Sequence, residues 1–345
     1  MPSPRLSRPL DPVCTALLEL AQRELDAHRF EAAAEVARMA CGRAPDEPEP
    51  RRLLDHAVQA GRASTALPRQ GIHLARGKAY RLLGDTSAAE AEFISTLANG
   101  EDSAEEAHAG LAALRLPGED YLCWLAKLHT ALRPRLYLEI GVEKGHSLAL
   151  AKPPTYAIGV DPAPCLEVSL EAKTRIFRET SDAFFSHAEL ADRLDGQAPD
   201  LAFIDGFHLF EQVLKDFMHV EGCSSRHSVV LIHDTIPLDE PTQRRTQSTR
   251  FYTGDVWKAV LCLKRYRPEL EIITIATPPT GLTVVTGLDP SSHLLADSYD
   301  NAVRQFMNLQ YSDVEDCLRE KLNTLGNDWA LLEAHLRARQ VPLRS

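Results

Sequence analysis

Positive charge is in deficit in this sequence: 38 Lys and Arg stand against 49 Asp and Glu, a net charge of −11. A protein that grips nucleic acid by its phosphates needs a basic face, so no nucleic-acid partner is expected. The one basic cluster, "QRRTQSTR" (243–250), reads as a solvated loop. Paired cysteines are missing too. The seven cysteines stand singly at 14, 41, 123, 165, 223, 262 and 317. That excludes a zinc knuckle or a thioredoxin-type site and suits reduced thiols in a cytoplasmic protein. No apolar run approaches the roughly 18 residues that span a membrane. The N-terminal "MPSPRLSRPLDPVC" lacks the apolar core of a secretory signal. The expectation is a soluble, cytoplasmic protein without a membrane partner.

What is present divides into two textures, and 345 residues suffice for two cores. After an N-terminal tail over 1–12, expected to be disordered, residues 13–115 are alanine-rich with helical periodicity. "CTALLELAQRELDAHRFEAAAEVARMACGRAPD" reads as two helices, and "HLARGKAYRLLGDTSAAEAEFISTLANG" repeats the idea. Gly77, Tyr80, Gly84, Ala89, Phe93 and Leu97 in the second, and Ala21, Ala33, Ala37 and Pro45 in the first, resemble the packing positions of tetratricopeptide units. Ala33 and Ala89 are 56 residues apart, so the middle unit is irregular; "EPEPRRLLDHAVQAG" supplies one helix of it. A plain helical bundle is the other reading of this stretch. Such a domain implies a protein partner or self-association.

From residue 116 to about 290, helical stretches alternate with β-branched runs. Strands are predicted at "LYLEIG", "TYAIGVD", "TRIFRET", "LAFIDG", "SVVLIHD", "EIITIAT" and "LTVVTGL". The first five are separated by segments able to form helices, the signature of a parallel sheet. The last two are joined by "PPTG", too short for a crossover, so they form an antiparallel pair at a sheet edge. Residues 291–345 return to helical spacing and form a C-terminal extension.

The turn after the first strand, "YLEIGVEKGHSLAL", decides the ligand class. A dinucleotide site needs G-x-G-x-x-G, yet Glu143 and His146 stand at the second and third glycine positions. A P-loop needs G-x-x-x-x-G-K-[ST], and Lys144 precedes Gly145 instead. S-adenosylmethionine carries a sulfonium and a zwitterion but no phosphate. An acid (Glu139) at the strand end suits its amino group, and Gly141 and Gly145 let backbone come close. Asp161, 22 residues after Glu139, ends the second strand where an acid would meet ribose hydroxyls.

With "FIDGFHLFEQVLKDF", "VVLIHDT" and "TGDVWKAV…PTGLTVV" also in order, residues 136 to about 290 resemble class I S-adenosylmethionine-dependent methyltransferases. The nearer likeness is to the branch of small-molecule O-methyltransferases and cephalosporin-hydroxylase-like proteins. The resemblance implies a Rossmann-like seven-stranded sheet with the last strand antiparallel, preceded by the all-α tetratricopeptide-like domain. It places Glu139, Gly141 and Gly145 around the methionine part and Asp161 on the ribose. Ser181 and Asp182 fall near the adenine, or else cap a helix. The first crossover, "GHSLALAKPP", leaves room for only a two-turn helix before its prolines.

The ends of strands four and five offer Asp205, His208, His233 and Asp234 as catalytic candidates. O-methylation requires the acceptor hydroxyl to lose its proton. Either a histidine acts as base, with His208 favoured by family position, or a divalent cation such as Mg²⁺ on Asp205 and Asp234 activates the hydroxyl. Metal-using relatives often end the fifth strand in two acids, where this chain has His233-Asp234. The long polar segment "IPLDEPTQRRTQSTR" reads as a substrate lid; after it, Asp255, Trp257 and Lys258 either line an acceptor pocket or cap and pack a helix. The expected activity is transfer of a methyl group from S-adenosylmethionine to a hydroxyl of a small metabolite or sugar-like acceptor. The rival readings are an N-methyltransferase, or a non-catalytic interaction protein that retains the methyltransferase fold.

Overall fold

The computed structural model describes residues 10–64, 71–100 and 103–343. Residues 1–9, the larger part of the tail expected over 1–12, lie outside the described residues. The chain separates into two compact units, Met1–Arg115 and Leu116–Ser345.

The first unit is helical: α1 (Pro12–Asp26), α2 (Phe30–Arg43), α3 (Pro48–Ala63), α4 (Ile72–Leu83), α5 (Thr86–Ala98) and α6 (Ala104–Arg115). Local chemistry starts and stops these helices. The Asp11 carboxylate accepts the Val13 and Cys14 N–H groups ahead of α1, with Pro12 in the first helical position. Gly84, at φ +79, ends α4, and Asp85 then caps α5 by accepting the Ala88 N–H. The stretches read as repeats are α1–α2 and α4–α5, and α3 is the single helix of the irregular middle. Phe93 of α5 explains two mid-helix glycines. A Cβ on Gly77 or Gly110 would lie 2.6 or 2.5 Å from its ring, so both positions give up helix propensity to admit the aromatic.

The second unit opens with α7 (Tyr121–Leu132) and continues through β1 (Leu136–Ile140), β2 (Tyr156–Val160), β3 (Lys173–Phe177), α8 (Ser181–Phe185), α9 (Leu190–Arg193), β4 (Leu201–Ile204), α10 (Phe210–Cys223) and β5 (Val229–His233). It ends with α11 (Trp257–Tyr266), β6 (Glu271–Ile275), β7 (Leu282–Thr286), α12 (Leu294–Met307), α13 (Leu318–Lys321), β8 (Thr324–Leu325) and α14 (Trp329–Ala338). All seven expected strands are present. They form one sheet in the order β3-β2-β1-β4-β5-β7-β6-β8. Strands β1 to β5 are mutually parallel, and β7 runs antiparallel to both β5 and β6. Central strands such as β1 and β5 are buried at every residue, as expected for strands covered on both faces.

Three local expectations are corrected. The first crossover holds only a 3-10 turn, Leu148–Leu150, in place of a two-turn helix. No helix connects β2 to β3: residues 161–172 contain Pro162 and Pro164 and their backbone pairs with the β1 turn, Cys165 N–H to Glu143 O and Glu167 N–H to Lys144 O. The C-terminal extension is not purely helical. Its β8 adds an eighth, parallel strand beside β6, which is therefore not the sheet edge. Leu332, Leu336 and Val341 then join Trp124, Leu125 and Leu128 of α7 in the main apolar core.

Candidate active site

Parallel winding sends the ends of β1 to β5 to one edge of the sheet, where open α/β sheets bind ligands. Gly141 follows β1 at φ +87, and a Cβ there would sit 2.0 Å from the Asp205 carbonyl oxygen after β4. Only glycine allows this approach. The turn expected to hold a cofactor and the acid expected to do chemistry are thus wall to wall.

On the cofactor side, Asp161 holds the turn in shape. One of its oxygens accepts the Val142 and Glu143 N–H groups, each at 2.9 Å, and the other accepts Ala163 N–H at 2.7 Å. Glu143 takes a left-handed φ of 44 to present its N–H. Gly145, at φ +80, lies under Leu166, whose Cδ2 would be 2.5 Å from an added Cβ. Glu139 is fully buried, and its two oxygens accept the Tyr137 hydroxyl at 2.6 Å and the Ser147 hydroxyl at 2.7 Å. Burial pushes its carboxyl up to about 8; the two hydroxyls oppose the shift, and the Asp205 and Asp161 charges add to it. Ser147 is a residue that sequence reasoning missed. The cap of α8 is Thr180, not Ser181 or Asp182. Instead, the Gln212 side-chain amide of α10 reaches the Ser181 hydroxyl at 3.3 Å, Asp182 at 2.9 Å and Asp216 at 3.1 Å.

On the chemistry side, Asp205, His208, His233 and Asp234 come together as a ring. His233 Nδ1 lies 3.2 Å from Asp205 Oδ1 and 3.4 Å from Asp234 Oδ1. His208 Nε2 lies 3.5 Å from Asp205 Oδ1 and 3.2 Å from Asp234 Oδ2. Burial opposes protonation of both imidazoles, but the facing carboxylates outweigh it. His208 is raised to about 9, chiefly by Asp234, and His233 to about 10, by Asp234 and then Asp205. Asp205 moves the other way: burial raises it, and the two imidazoles more than reverse this, holding it well below the usual carboxylate range. The remaining nitrogens, His208 Nδ1 and His233 Nε2, are buried without a hydrogen-bond partner among the described residues.

Aromatic and hydroxyl groups that sequence reasoning missed fix this ring. Tyr121, at the start of α7, packs on His233 with ring centroids 4.1 Å apart, and Tyr252 stacks on His208 at 5.6 Å. The Thr280 hydroxyl, from the β6–β7 turn, donates to Asp234 Oδ1. Gly254 lies against the His208 carbonyl, 1.8 Å from where a Cβ would be. Asp255 and Lys258 are buried rather than lining an open pocket. Asp255 accepts the Phe210 N–H at 3.0 Å and so caps α10, while Arg245 joins it to Glu211, both at 2.9 Å. That pins the segment expected to act as a lid. Phe207, between the two catalytic candidates that follow β4, is 66% exposed.

A Rossmann-like sheet with acids at the ends of β1, β2, β4 and β5, and no phosphate-binding turn, defines the class. Within it, residues 138–235, from β1 to the residue after Asp234, match the family model of a methyltransferase domain. No curated protein matches the chain. Among solved structures, an O-methyltransferase of Bacillus cereus in complex with SAH is similar at 14% identity, over 51% of this chain and 86% of that one, with a TM-score of 0.35. The O-methyltransferase TomG of Streptomyces achromogenes, in complex with SAM, is similar at 17% identity over 55% and 91%, with a TM-score of 0.37. The SAH-bound Podospora anserina methyltransferase PaMTH1 is similar at 15% over 58% and 95%, with a TM-score of 0.36.

Proposed function

We propose that this protein transfers a methyl group from S-adenosylmethionine to a hydroxyl of a small acceptor at the Asp205–His208–His233–Asp234 ring. The observation that carries this reading is the contact of Gly141 with the Asp205 carbonyl, which puts cofactor turn and acid ring side by side. The turn suits a cation with hydroxyls better than a phosphate. Asp161 brings a carboxylate to it and spends three of about four acceptor positions on backbone N–H groups, leaving one for a ribose hydroxyl. Ser147, hydrogen-bonded to Glu139, joins Gly141 and Gly145 around the methionine part. Ser181 and Asp182 remain the candidates nearest the adenine.

The bound donor supplies an electrophilic methyl carbon on sulfur. Methyl transfer would form an oxygen–carbon bond as the sulfur–carbon bond breaks, and the hydroxyl proton would have to pass to an imidazole or to solvent water. Neither histidine offers an open nitrogen for that proton: one of each pair is turned onto the carboxylates and the other is buried. This favours activation by a cation, which would lower the hydroxyl's pKa and orient it. Asp205 and Asp234 would offer it two carboxylates, in competition with the protons these acids hold on His208 and His233, and Thr280 keeps Asp234 in place.

Isothermal titration of the full chain with S-adenosylmethionine and S-adenosylhomocysteine tests the reading. Both are expected to bind with one site per chain. Gly141→Ala, which drives a methyl into the Asp205 carbonyl, is expected to abolish binding and turnover of radiolabelled donor on a panel of phenols, catechols and sugars. A folded wild-type protein that binds neither ligand refutes the reading.

A further inference from the structure

We infer that Asn327, in the C-terminal segment after β8, is a positioning residue of the active site, acting through Tyr121 on the His233 ring. His233 is held by polar contacts at one nitrogen. Its Nδ1 lies 3.2 Å from Asp205 Oδ1 and 3.4 Å from Asp234 Oδ1, and its Nε2 is buried without a hydrogen-bond partner among the described residues. No hydrogen bond at Nε2 therefore resists a turn of the imidazole away from the carboxylates. Packing on its faces must do so. Phe203 stands 6.1 Å away between ring centroids at 59°, whereas Tyr121 is closer and flatter, at 4.1 Å and 34°. Phe203 comes with β4 and is placed by the sheet. Tyr121 opens α7, ahead of β1, and needs an anchor of its own.

That anchor joins α7 to the β6–β7 connection. The Tyr121 N–H donates to the Pro278 carbonyl at 3.1 Å, and the Glu119 carbonyl accepts the Thr277 hydroxyl at 2.6 Å. The Asn327 side chain closes the joint from outside. Its amide donates to the Glu119 carbonyl at 2.8 Å and to the Ala276 carbonyl at 3.4 Å, and its oxygen accepts the Trp124 indole N–H at 2.9 Å. Three of about four hydrogen-bonding positions on Asn327 are thus spent on this joint. Gly118, at φ +122, admits it, since a Cβ there would lie 2.5 Å from Asn327 Cγ. The same connection carries Thr280, which donates to Asp234. One amide therefore registers two supports of the ring, Tyr121 on His233 and Thr280 on Asp234.

Loss of this joint frees the His233 ring to turn, while the cofactor turn of Gly141, Gly145 and Asp161 is untouched. The effect then falls on turnover and not on donor binding. The turnover arm of the test rests on the proposed methyl transfer. The placement of Tyr121 does not, and it is read directly by NMR.

Full-length protein with isotope-labelled histidine rings is compared as wild type, Tyr121→Leu, Tyr121→Phe and Asn327→Ala, with the His233 signal assigned by its loss in His233→Gln. An aromatic face shields the ring stacked on it. The His233 C–H signals are therefore expected upfield in wild type and in Tyr121→Phe, and displaced downfield in Tyr121→Leu and Asn327→Ala. With the acceptor that wild type methylates, kcat is expected to fall about tenfold or more in Tyr121→Leu and Asn327→Ala, the donor Kd staying within about twofold and Tyr121→Phe near wild type. If Asn327→Ala fails to fold by circular dichroism, Asn327→Asp, which keeps the acceptor for Trp124 and loses the donor to Glu119, carries its arm. A His233 signal unmoved in Tyr121→Leu or in the folded Asn327 variant overturns the inference. So does a Tyr121→Phe protein that behaves as Tyr121→Leu, or a loss of donor affinity as large as that of kcat. The expected signals in a protein that binds no S-adenosylmethionine keep the positioning of His233 and refute the methyl transfer.

Discussion

Both oxygens of Glu139 accept hydroxyl protons in a fully buried site, and burial raises this carboxyl from 4.5 to about 8. A raised carboxyl contributes its stability fully below the unfolded value. That contribution is lost as pH rises toward and through the folded value, because only the unfolded chain ionises freely. The Glu139 contribution is therefore intact near pH 4 and gone by about pH 9, a change of order a few kcal/mol. Glu139→Gln is expected to flatten that part of the urea-stability profile between pH 5 and 9, making the variant the relatively more stable protein at the alkaline end. Parallel profiles for the two proteins would refute the assignment. Residue types at this site were legible in the sequence because strand ends and spacing announce them. Their partners were not. Gly141 is needed by the Asp205 carbonyl and Asp234 is held by Thr280, and both depend on which strands lie side by side, a property of the whole sheet.

At the scale of elements, the seven longer strands were legible as β-branched runs, and the reversal of β7 followed from a connection too short for a helix. The two-residue β8 was not, because a period of two cannot show itself over two residues. The same limit hid the role of α14. Its apolar spacing announced a helix, but only the packed core shows that Leu336 is fully buried among residues of α7 and the sheet. Leu336→Ala is expected to cost about 2–5 kcal/mol in urea denaturation. Leu331→Ala on the same helix, at a position 49% exposed, is expected to stay within about 0.5 kcal/mol of wild type. Equal effects would mean that α14 does not close the core. Asn327 ties the segment down as well, accepting the Trp124 indole N–H at 2.9 Å and donating to the Glu119 carbonyl at 2.8 Å.

For the whole molecule, composition alone marks a change of texture near residue 115. Each unit has its own closed core. Cys14, Leu17, Ala37 and Ala75 belong to one cluster, and Trp124, Tyr137, Phe203 and Leu231 to another. Every residue placed in the proposed cofactor, metal or acceptor site lies in the second unit, between Tyr121 and Thr280. The β8–β6 pairing and the core contacts of α14 show that this unit also needs its C-terminal segment. A fragment of residues 116–345 is therefore expected to unfold in one cooperative transition and to bind S-adenosylmethionine within about threefold of the full chain, a difference of under about 1 kcal/mol. A fragment of residues 116–290 keeps the seven longer strands but exposes the apolar face that Leu332, Leu336 and Val341 cover, and it is expected to aggregate. Melting curves and calorimetry on the two fragments decide the matter. If 116–345 is folded yet has lost donor binding, the helical unit contributes to the site, and the functional division at Arg115 is wrong.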